Sequence, residues 1–267
     1  MIEGLRVDPG SKAKIAHRDP TETLGFSGKS DGEKRLKHLH KRLSELHDLL
    51  YAEGRRSVLL VLQGLDASGK DGAIRSVFTG LNPQGCRVVS FKAPAANELA
   101  HDYLWRVHAN LPARGEIGIF NRSHYEDVVA VRMLSLAPEE VWRRRPVHIR
   151  EWERMLADEG TTVVKVFLNV SKEEQRRRFQ ARIDDPAKRW KFRKDDLKVR
   201  ERFDEYVAVW DEVVGETSTK WAPWYVVPAD HNWVKALAVA ELLAAALEEI
   251  DPQAPGVEPG VEGLKIT

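Results

Sequence analysis

The residues best placed to do chemistry in this sequence form a glycine-bracketed loop that ends in lysine, GLDASGK at positions 64–70. The apolar, partly β-branched run Val58–Leu62 precedes the loop, and a helical pattern that closes at Gly80 follows it. This order of strand, Gly-x-x-x-x-Gly-Lys loop and helix predicts phosphate binding, because the glycines let backbone N–H groups turn inward while the helix N-terminus and the lysine add positive charge. The predicted phosphate contacts are Gly64, Ala67, Ser68, Gly69, Lys70 and Asp71.

Two acidic residues distinguish this loop from the common pattern. Asp71 follows the lysine, at the position where Ser or Thr commonly supplies a hydroxyl to Mg²⁺, and Asp66 lies inside the loop. Because like charges repel, a carboxylate among phosphate-binding groups favours a cation between Asp66 and the phosphates. The alternative is an ordinary turn aspartate that binds its own backbone. The sequence favours metal handling by Asp66.

Two further polar segments follow predicted strands. Lys92–Asn97 follows the strand Arg87–Phe91, and Asn121–Asp127 (NRSHYED) follows the strand Glu116–Phe120. Right-handed crossovers place the carboxyl ends of parallel strands at one edge of a sheet, and ligands bind at that edge. The sequence therefore predicts one site built from three loops.

Strands alternate with helices from residue 57 onward, which predicts an α/β fold with a parallel sheet covered by helices on both faces. The predicted strands are Val58–Leu62, Arg87–Phe91, Glu116–Phe120, Thr161–Leu168 and Trp224–Val227. The predicted helices are Asp31–Glu53, the one after the loop, Asp102–Asn110, Asp127–Met133, Pro138–Glu159, one that opens at the capping box Ser171–Glu174, and Asn232–Ile250. We therefore divide the chain into an N-terminal arm (1–30), a single domain (31–250) and a loose Pro/Gly-rich tail (251–267).

A basic segment at positions 172–202 contains thirteen Lys or Arg residues against seven Asp or Glu. Asp184–Pro186 interrupts it between two predicted helices. Arginine forks bind phosphate in bidentate fashion, so this segment could close over the loop and exclude water as a lid at about 171–202. The alternatives are a merely solvated basic helix and a nucleic-acid surface, and the second is kept open by Trp190 and Phe192 among the charges.

The composition excludes several classes of protein. The chain has 42 Lys and Arg residues against 41 Asp and Glu, so its formal charge of +1 does not demand a nucleic acid or a membrane as partner. Its one cysteine, Cys86, excludes a disulfide framework and suits a reducing compartment. No apolar run approaches the roughly 20 residues of a membrane span, and the N-terminus lacks the apolar core of a signal peptide. We expect a cytoplasmic protein without a nucleic-acid or membrane partner.

Four motifs together resemble the family-2 polyphosphate kinases: GLDASGKDG (Gly64–Gly72), IFNRSHYEDV (Ile119–Val128), DDPAKRWKF (Asp184–Phe192) and APWYVVPA (Ala222–Ala229). The resemblance covers roughly residues 30–250. It implies a nucleotide-kinase-like P-loop core, a three-layer sandwich with a five-stranded parallel sheet and a helical lid. It also implies Mg²⁺-dependent transfer of the terminal phosphoryl group between inorganic polyphosphate and a nucleotide. The expected partners are adenine nucleotides, with guanine nucleotides as an open alternative. Family members are often dimers or tetramers, and the predicted helix Asp31–Glu53 is the candidate contact.

The resemblance also implies roles for individual residues. The expected catalytic residues are Asp66, Lys70, Arg122, Arg178 and Arg182, the further phosphate or nucleotide contacts are Asn121, Glu126 and Arg189, and the expected metal ligands are Asp66 and Asp127. One departure matters, because many members carry aspartate where this chain has Asn121. An amide cannot supply the charge of a carboxylate, so the metal role moves to Asp66, with Glu126 or Asp127 in reserve. The NRSHYED form resembles the subgroup that phosphorylates both AMP and ADP.

The implied reaction is a direct in-line transfer without a covalent enzyme intermediate. The attacking phosphate oxygen is already anionic at neutral pH, so no strong base is needed, and His124 is expected to be a hydrogen-bonded loop residue. Two other readings remain. An ATP-dependent nucleoside or nucleotide kinase would transfer phosphate with ATP alone. A non-catalytic P-loop module would bind RNA or DNA through the basic segment, with a steep salt dependence and no turnover.

Overall fold

A six-stranded sheet forms the centre of the protein. The computed structural model describes residues 2–261 and 263–266, and its strands are β1 (Arg6–Val7), β2 (Ser57–Gln63), β3 (Cys86–Ser90), β4 (Ile117–Asn121), β5 (Thr161–Asn169) and β6 (Trp224–Pro228). They lie in the order β1-β6-β5-β2-β4-β3. Strands β2 to β6 pair in parallel, and β1 pairs with β6 antiparallel. The strand that leads into the phosphate-binding loop, β2, therefore lies between β4 and β5.

Helices cover both faces of this sheet. The α-helices of the described residues are α1 (Lys29–Glu53), α2 (Lys70–Val77), α3 (Ala96–Leu99), α4 (Trp105–His108), α5 (Glu126–Met133), α6 (Glu139–Trp142), α7 (Arg145–Asp158), α8 (Lys172–Asp184), α9 (Asp195–Glu201), α10 (Phe203–Thr217) and α11 (Asn232–Ile250). Short 3₁₀ turns lie at Glu3–Leu5, Ile15–His17, Pro83–Gly85 and Arg189–Lys191. One hydrophobic core packs α1, α2 and α11 against the sheet, and a second core packs α5, α7 and α10 against the other face.

The central strand shows why an uninterrupted apolar run predicted a buried strand. Val58, Leu60 and Leu62 lie in the first core, whereas Leu59 and Val61 lie in the second. Every residue of β2 is buried. A strand covered by helices on both faces needs apolar side chains at successive positions, whereas a half-exposed strand alternates. The predicted α/β fold with five parallel strands is confirmed.

The N-terminal segment adds the sixth strand, which the sequence did not predict. Arg6 pairs with Tyr225 and Val7 with Trp224 at the edge of the sheet. The guanidinium of Arg18 donates to four backbone carbonyls of the same segment and holds it in place. Strand β1 has only two residues, which are too few to show the alternation of apolar and polar residues that identifies a strand in a sequence. Position 1 of the predicted arm lies outside the described residues.

The prediction of one helix over Pro138–Glu159 is wrong. Two helices, α6 and α7, occupy this range, and a turn separates the end of α6 at Trp142 from the start of α7 at Arg145. Pro146 lies in the first turn of α7. In a continuous helix its ring would clash with the carbonyl of Trp142 and its missing N–H would remove a hydrogen bond, whereas proline is well tolerated where a helix begins.

The C-terminal segment beyond α11 contains no helix or strand in its described residues. Positions 262 and 267 of the predicted tail lie outside those residues. In the part of the chain that the structure describes, no helix combines the length and the apolar character needed to cross a membrane.

Candidate active site

The sheet brings the phosphate-binding loop and the second polar motif to the same edge. Strands β2 and β4 are neighbours, and Leu62 pairs with Asn121 at their carboxyl ends. The backbone N–H of Arg122 donates to the carbonyl of Leu62 at 3.0 Å. The two segments therefore start side by side, which confirms the predicted convergence for these two of the three loops. The segment 92–97 follows β3, which lies on the far side of β4.

Lys70 lies inside the loop as the first residue of α2, and its side chain is buried. Its Nζ donates to the carbonyl of Gly64 at 2.6 Å and lies 3.4 Å from the carbonyl of Leu65. Burial, together with the nearby guanidinium of Arg122, lowers the pKa of Lys70 to about 8. The ammonium is therefore still mostly charged at neutral pH. Its hydrogen bonds are of a kind that phosphate oxygens can also accept.

A short ion pair joins the loop to the second motif. Nη2 of Arg122 lies 2.5 Å from Oδ1 of Asp66. Arg122 and Ala67 have φ values of +62° and +63°, which non-glycine residues seldom adopt and which are concentrated at functional sites. Glu126 lies beside this pair. Burial raises the pKa of Glu126, and the positive charges of Arg122 and Lys70 act in the opposite direction.

The other polar residues of the second motif have different partners. Nδ2 of Asn121 donates to Oδ1 of Asp71 at 2.7 Å and so links β4 to the first turn of α2. Asp127 is buried, and its Oδ2 accepts from Nη2 of Arg106 at 3.4 Å. Burial raises the pKa of Asp127, and Arg106 acts to lower it. Asn121 and Asp71 therefore join the loop, whereas the carboxylate of Asp127 lies against Arg106.

A buried charged network supports the turn that carries Arg122. Nζ of Lys165, on β5, donates to Glu153 Oε2 at 2.6 Å, to the Tyr125 hydroxyl at 2.9 Å and to the Thr217 carbonyl at 2.8 Å. The Tyr125 hydroxyl donates to Oε1 of Glu153 at 2.8 Å. Burial alone would raise the pKa of Glu153, but the Lys165 ammonium holds it below its ordinary value. Because each of these groups has its partners, the network stabilises one arrangement of the turn.

His124 lies within this buried network, but in the described residues neither of its ring nitrogens makes a hydrogen bond, so the prediction of a hydrogen-bonded histidine is wrong. Its side chain has no exposed surface, and its Nε2 lies 3.5 Å from Oε1 of Glu153. Burial lowers the pKa of His124, so the ring is neutral at neutral pH. The ring therefore supports the turn, and its burial does not suit it to act as a general base.

Arg178, on α8, holds the outer face of the phosphate-binding loop. Each of its five N–H groups has an acceptor within the protein. The acceptors are the carbonyls of Ala67 and Ser68 (2.9 Å each), Ala229 (2.6 Å) and Asp230 (2.8 Å), and Oε1 of Glu174 (2.7 Å). The guanidinium therefore positions the loop and the turn before α11. Contact with the transferred phosphate, which the family resemblance implied, would require it to leave these partners.

Two further side chains complete the outer face, and the sequence analysis predicted neither. Nε2 of Gln175 donates to the carbonyl of Asp66 at 2.9 Å. Nζ of Lys235, on α11, lies 2.5 Å from Oδ1 of Asn232 and 3.3 Å from the carbonyl of Ser68. The one signal in the sequence was a lysine within the apolar helical run VKALAVA. We refer to Gln175, Arg178 and Lys235 as the outer clamp.

The C-terminal half of α8 carries the predicted lid arginines. The guanidinium of Arg182 lies over the ring of Phe179, 5.5 Å from its centre, and within the described residues it makes no hydrogen bond. Arg182, Arg122 and Asp66 all influence the pKa of Asp196, so each of these three side chains lies within electrostatic range of that carboxylate. Unlike that of Arg178, its guanidinium would not have to leave protein acceptors in the described residues to bind an anion.

Farther along the segment the basic residues are exposed. Nε of Arg189 donates to the carbonyl of Ile183 at 2.8 Å, and Trp190 has 76% of its surface exposed. Several other cations pair with acids one turn away on the same helix, as Arg176 does with Glu173 at 2.6 Å. Such pairs cancel part of the local excess of positive charge.

The structure thus brings most of the predicted site residues together. The residues that share the loop and its entrance are Gly64, Asp66, Ala67, Ser68, Gly69, Lys70, Asp71, Asn121, Arg122 and Glu126. Arg178 lies behind the loop, Asp127 lies against Arg106, and Arg189 lies on the exposed part of the basic segment.

The donor set fits a Mg²⁺ ion that binds together with phosphate. Within the described residues, no cluster of three or more His, Cys, Asp or Glu side chains could hold a metal. Mg²⁺ in phosphoryl-transfer sites is usually bound by one or two carboxylates plus substrate phosphates and water. Asp66 and Glu126 lie close enough that the negative charge of Asp66 raises the pKa of Glu126. These two carboxylates could supply the protein ligands.

Comparison with known proteins agrees with this geometry. The family model described as Polyphosphate kinase 2 (PPK2) matches residues 27–255. A Meiothermus ruber protein named AMP/ADP-polyphosphate phosphotransferase is 51% identical over 266 residues, which are 99% of this chain and 100% of that protein. A Rhodopseudomonas palustris protein named ADP-polyphosphate phosphotransferase is 44% identical and covers 96% of this chain and 92% of its own length. The crystal structure of polyphosphate kinase 2 from Arthrobacter aurescens TC1 matches with a TM-score of 0.93 and 41% identity, over 97% of this chain and 93% of that one. This chain belongs to the polyphosphate kinase 2 family.

Proposed function

We propose that this protein transfers the terminal phosphoryl group of inorganic polyphosphate to AMP and to ADP, forming ADP and ATP. The observation that carries the proposal is the cluster of Lys70, Asp66 and Arg122 at a phosphate-binding loop, next to a basic helical segment. The relatives support the donor and the acceptors, since the names of both contain polyphosphate and one contains both AMP and ADP.

The site residues receive the following roles in this proposal. Lys70 and the loop amides hold the phosphates that flank the transferred group. Arg122 and Arg182 neutralise charge on the oxygens of that group, and Arg178 acts through the backbone of the loop. The further phosphate or nucleotide contacts are Gly64, Ala67, Ser68, Gly69, Asp71, Asn121, Glu126 and Arg189.

The transfer is an in-line displacement at phosphorus. An oxygen of the nucleotide's terminal phosphate attacks the terminal phosphorus of polyphosphate. The new P–O bond forms while the bond to the bridging oxygen breaks, and the shortened polyphosphate leaves with that electron pair. Because the attacking oxygen is already anionic, catalysis rests on positioning and charge neutralisation and needs no general base.

Mg²⁺ is the proposed cofactor. When bound, it would screen the repulsion between the two polyanions. Asp66 is the main candidate ligand, with Glu126 next to it. Asp127 is the weaker candidate because its carboxylate already accepts a hydrogen bond from Arg106.

The proposed acceptors are adenine nucleotides, with guanine as the second base to test. We also propose that the enzyme acts in the cytoplasm as a homo-dimer or homo-tetramer that uses the exposed face of α1, without a nucleic-acid partner. Light scattering of the purified protein, with and without charge reversal on that face, tests the assembly.

The decisive experiment measures nucleotide turnover with polyphosphate and Mg²⁺, with AMP and ADP offered separately. We expect ADP and ATP as products. Asp66→Asn and Lys70→Ala should each lower the rate by about a hundredfold or more, because the first removes the proposed Mg²⁺ ligand and the second removes the ammonium that holds the flanking phosphates. Lys220→Ala, an exposed lysine beyond α10 near the opposite edge of the sheet, is the matched control.

The outcome also separates the competing functions. Turnover with ATP as donor but none with polyphosphate would establish an ATP-dependent kinase on the same fold. Salt-dependent binding of RNA or DNA without any turnover would favour a binding module.

A further inference from the structure

The outer clamp contains a buried lysine to which the proposed reaction gives no direct role. Lys235 has only 2% of its surface exposed and lies on α11, whose neighbouring residues are apolar. Its Nζ reaches the carbonyl of Ser68 at 3.3 Å and Oδ1 of Asn232 at 2.5 Å. Buried lysines are rare unless they are paired, yet no carboxylate forms a salt bridge with this one in the described residues.

The packing around Gly69 shows how closely this lysine fits against the loop. A Cβ at Gly69 would lie 2.0 Å from Nζ of Lys235 and 2.8 Å from its Cε. Gly69 also has a φ of +99°, which side chains rarely adopt. The ammonium therefore occupies the space that a side chain at Gly69 would need. Lys235 therefore lies directly against the backbone of Gly69, the residue that precedes Lys70.

The charges around Lys235 make its protonation sensitive to a nearby anion. Arg178 and Glu174 face it from α8, Asp230 faces it from the turn before α11, and Asn232 contacts it from its own helix. Burial first, and then the charge of Arg178, lower the pKa of Lys235 to about 7, while Glu174 and Asp230 act in the opposite direction. In the free protein, charged and neutral forms therefore coexist at neutral pH. A polyanion in the loop favours the charged form.

We propose that Lys235 is a positioning residue that takes up a proton when a polyphosphate enters the loop and thereby strengthens its hold on the Ser68 carbonyl. With this carbonyl held on the outer side, the loop keeps the shape in which its amides face the phosphates. The proposal rests on the proposed function only for the identity of the anion, because the geometry requires no more than a phosphate chain in the loop.

The direction of the pH dependence follows from the position of Lys235. Below about pH 7 the amine of the free protein is mostly charged, so phosphate binding requires little proton uptake. At higher pH the amine is mostly neutral, and binding must include protonation. The affinity for a phosphate chain should therefore fall as the pH rises above about 7. The fall should end where the pH exceeds the pKa of Lys235 in the complex, which the bound anion raises.

The test is calorimetric titration of the protein with inorganic tripolyphosphate between pH 6 and 8.5, in two buffers of different ionisation enthalpy. We expect Lys235→Met to bind about tenfold more weakly than the wild type at pH 7, the size of effect of losing one charged hydrogen bond. We also expect it to lose the component of proton uptake that appears near pH 7. Lys220→Met, which likewise removes one lysine charge but an exposed one, should bind as the wild type does.

A second variant keeps the test independent of the folding of Lys235→Met. Asn232 is exposed at the first residue of α11, where aspartate is well tolerated. Asn232→Asp places a carboxylate beside the ammonium, so we expect the fall in affinity to shift to higher pH. A merely structural lysine would not produce this shift, and an unchanged profile in Asn232→Asp would overturn the proposal. Wild-type affinity and wild-type proton uptake in Lys235→Met would overturn it as well.

Steady-state kinetics separate this proposal from the proposed function. Lys235→Met should raise KM for polyphosphate about tenfold and change kcat by less than about threefold, because the clamp acts on binding in the ground state and the transition state alike. A large fall in kcat at unchanged KM would contradict the positioning role. Absence of polyphosphate turnover in the wild type, with clamp-dependent tripolyphosphate binding, would reject the function and support this inference.

Discussion

The two faces of the phosphate-binding loop are both lined by cations, but these cations interact with different partners. On the inner face, Lys70 donates to the carbonyl of Gly64 at the start of the loop and Arg122 pairs with Asp66, and phosphate can replace or join these partners. On the outer face, Arg178 and Lys235 donate to carbonyls of the loop itself. The side of the backbone on which a cation lies therefore decides whether it can contact phosphate or can only position the groups that do.

The same distinction divides a single helix. Arg178 and Arg182 lie one turn apart on α8, and the sequence gives them the same appearance within a basic run. Arg178 has an acceptor for every N–H group, whereas Arg182 lies over Phe179 and makes no hydrogen bond in the described residues. Local positive charge alone therefore does not identify the arginines that bind phosphate.

The largest expected effect comes from the inner face. Lys70→Met removes the ammonium at the loop and should lower kcat/KM by about 10²–10³-fold, because in the proposed mechanism this charge holds the phosphates that flank the transferred group. Its stability should stay within about 1 kcal/mol of the wild type, since the removed charge was buried and desolvated. Steady-state kinetics and chemical denaturation measure the two quantities. A well-folded variant with wild-type activity would remove the basis for assigning chemistry to the inner face.

The next effect should combine activity and stability. Arg178→Met leaves four backbone carbonyls and Glu174 without their donor, and we expect a loss of about 2–4 kcal/mol in the free energy of unfolding. Activity should fall about thirtyfold because the loop loses its shape. Arg176→Met, which removes an exposed arginine paired with Glu173, should change neither quantity measurably. Lost activity at full stability in Arg178→Met would instead indicate direct contact with substrate.

The smallest of these effects should come from the lid. Arg182→Ala is expected to lower kcat by about tenfold while the melting temperature stays within about 1 °C, because the half-buried side chain stacks on Phe179 and makes no hydrogen bond in the described residues. Thermal unfolding and turnover with polyphosphate check this. If Arg182→Ala destabilised the protein as strongly as Arg178→Met, the contrast between the two arginines would not hold.

Much of the fold could be predicted because its signals are local and strong. The apolar run of β2, the glycines of the loop and the alternation of strands and helices each reflect one requirement of a buried parallel sheet. The predictions failed where a strand was too short to show a sequence pattern and where a proline within a helical pattern was overlooked. Strand β1 has two residues and is defined by its pairing with β6. The break between α6 and α7 depends on Pro146, which a continuous amphipathic pattern concealed.

The sequence by itself determined the inner face of the site and the chemistry that it could perform. Lys70 and Asp66 lie in one local motif, and the neighbouring position of Arg122 follows from the rule that parallel strands end at one edge of the sheet. Only the tertiary structure decided the outer face, because Arg178 and Lys235 are separated by 111 and 167 residues from the carbonyls they contact. Such contacts depend on how α8 and α11 pack against the sheet. No periodicity or motif within either helix indicates which distant carbonyls its side chains will contact.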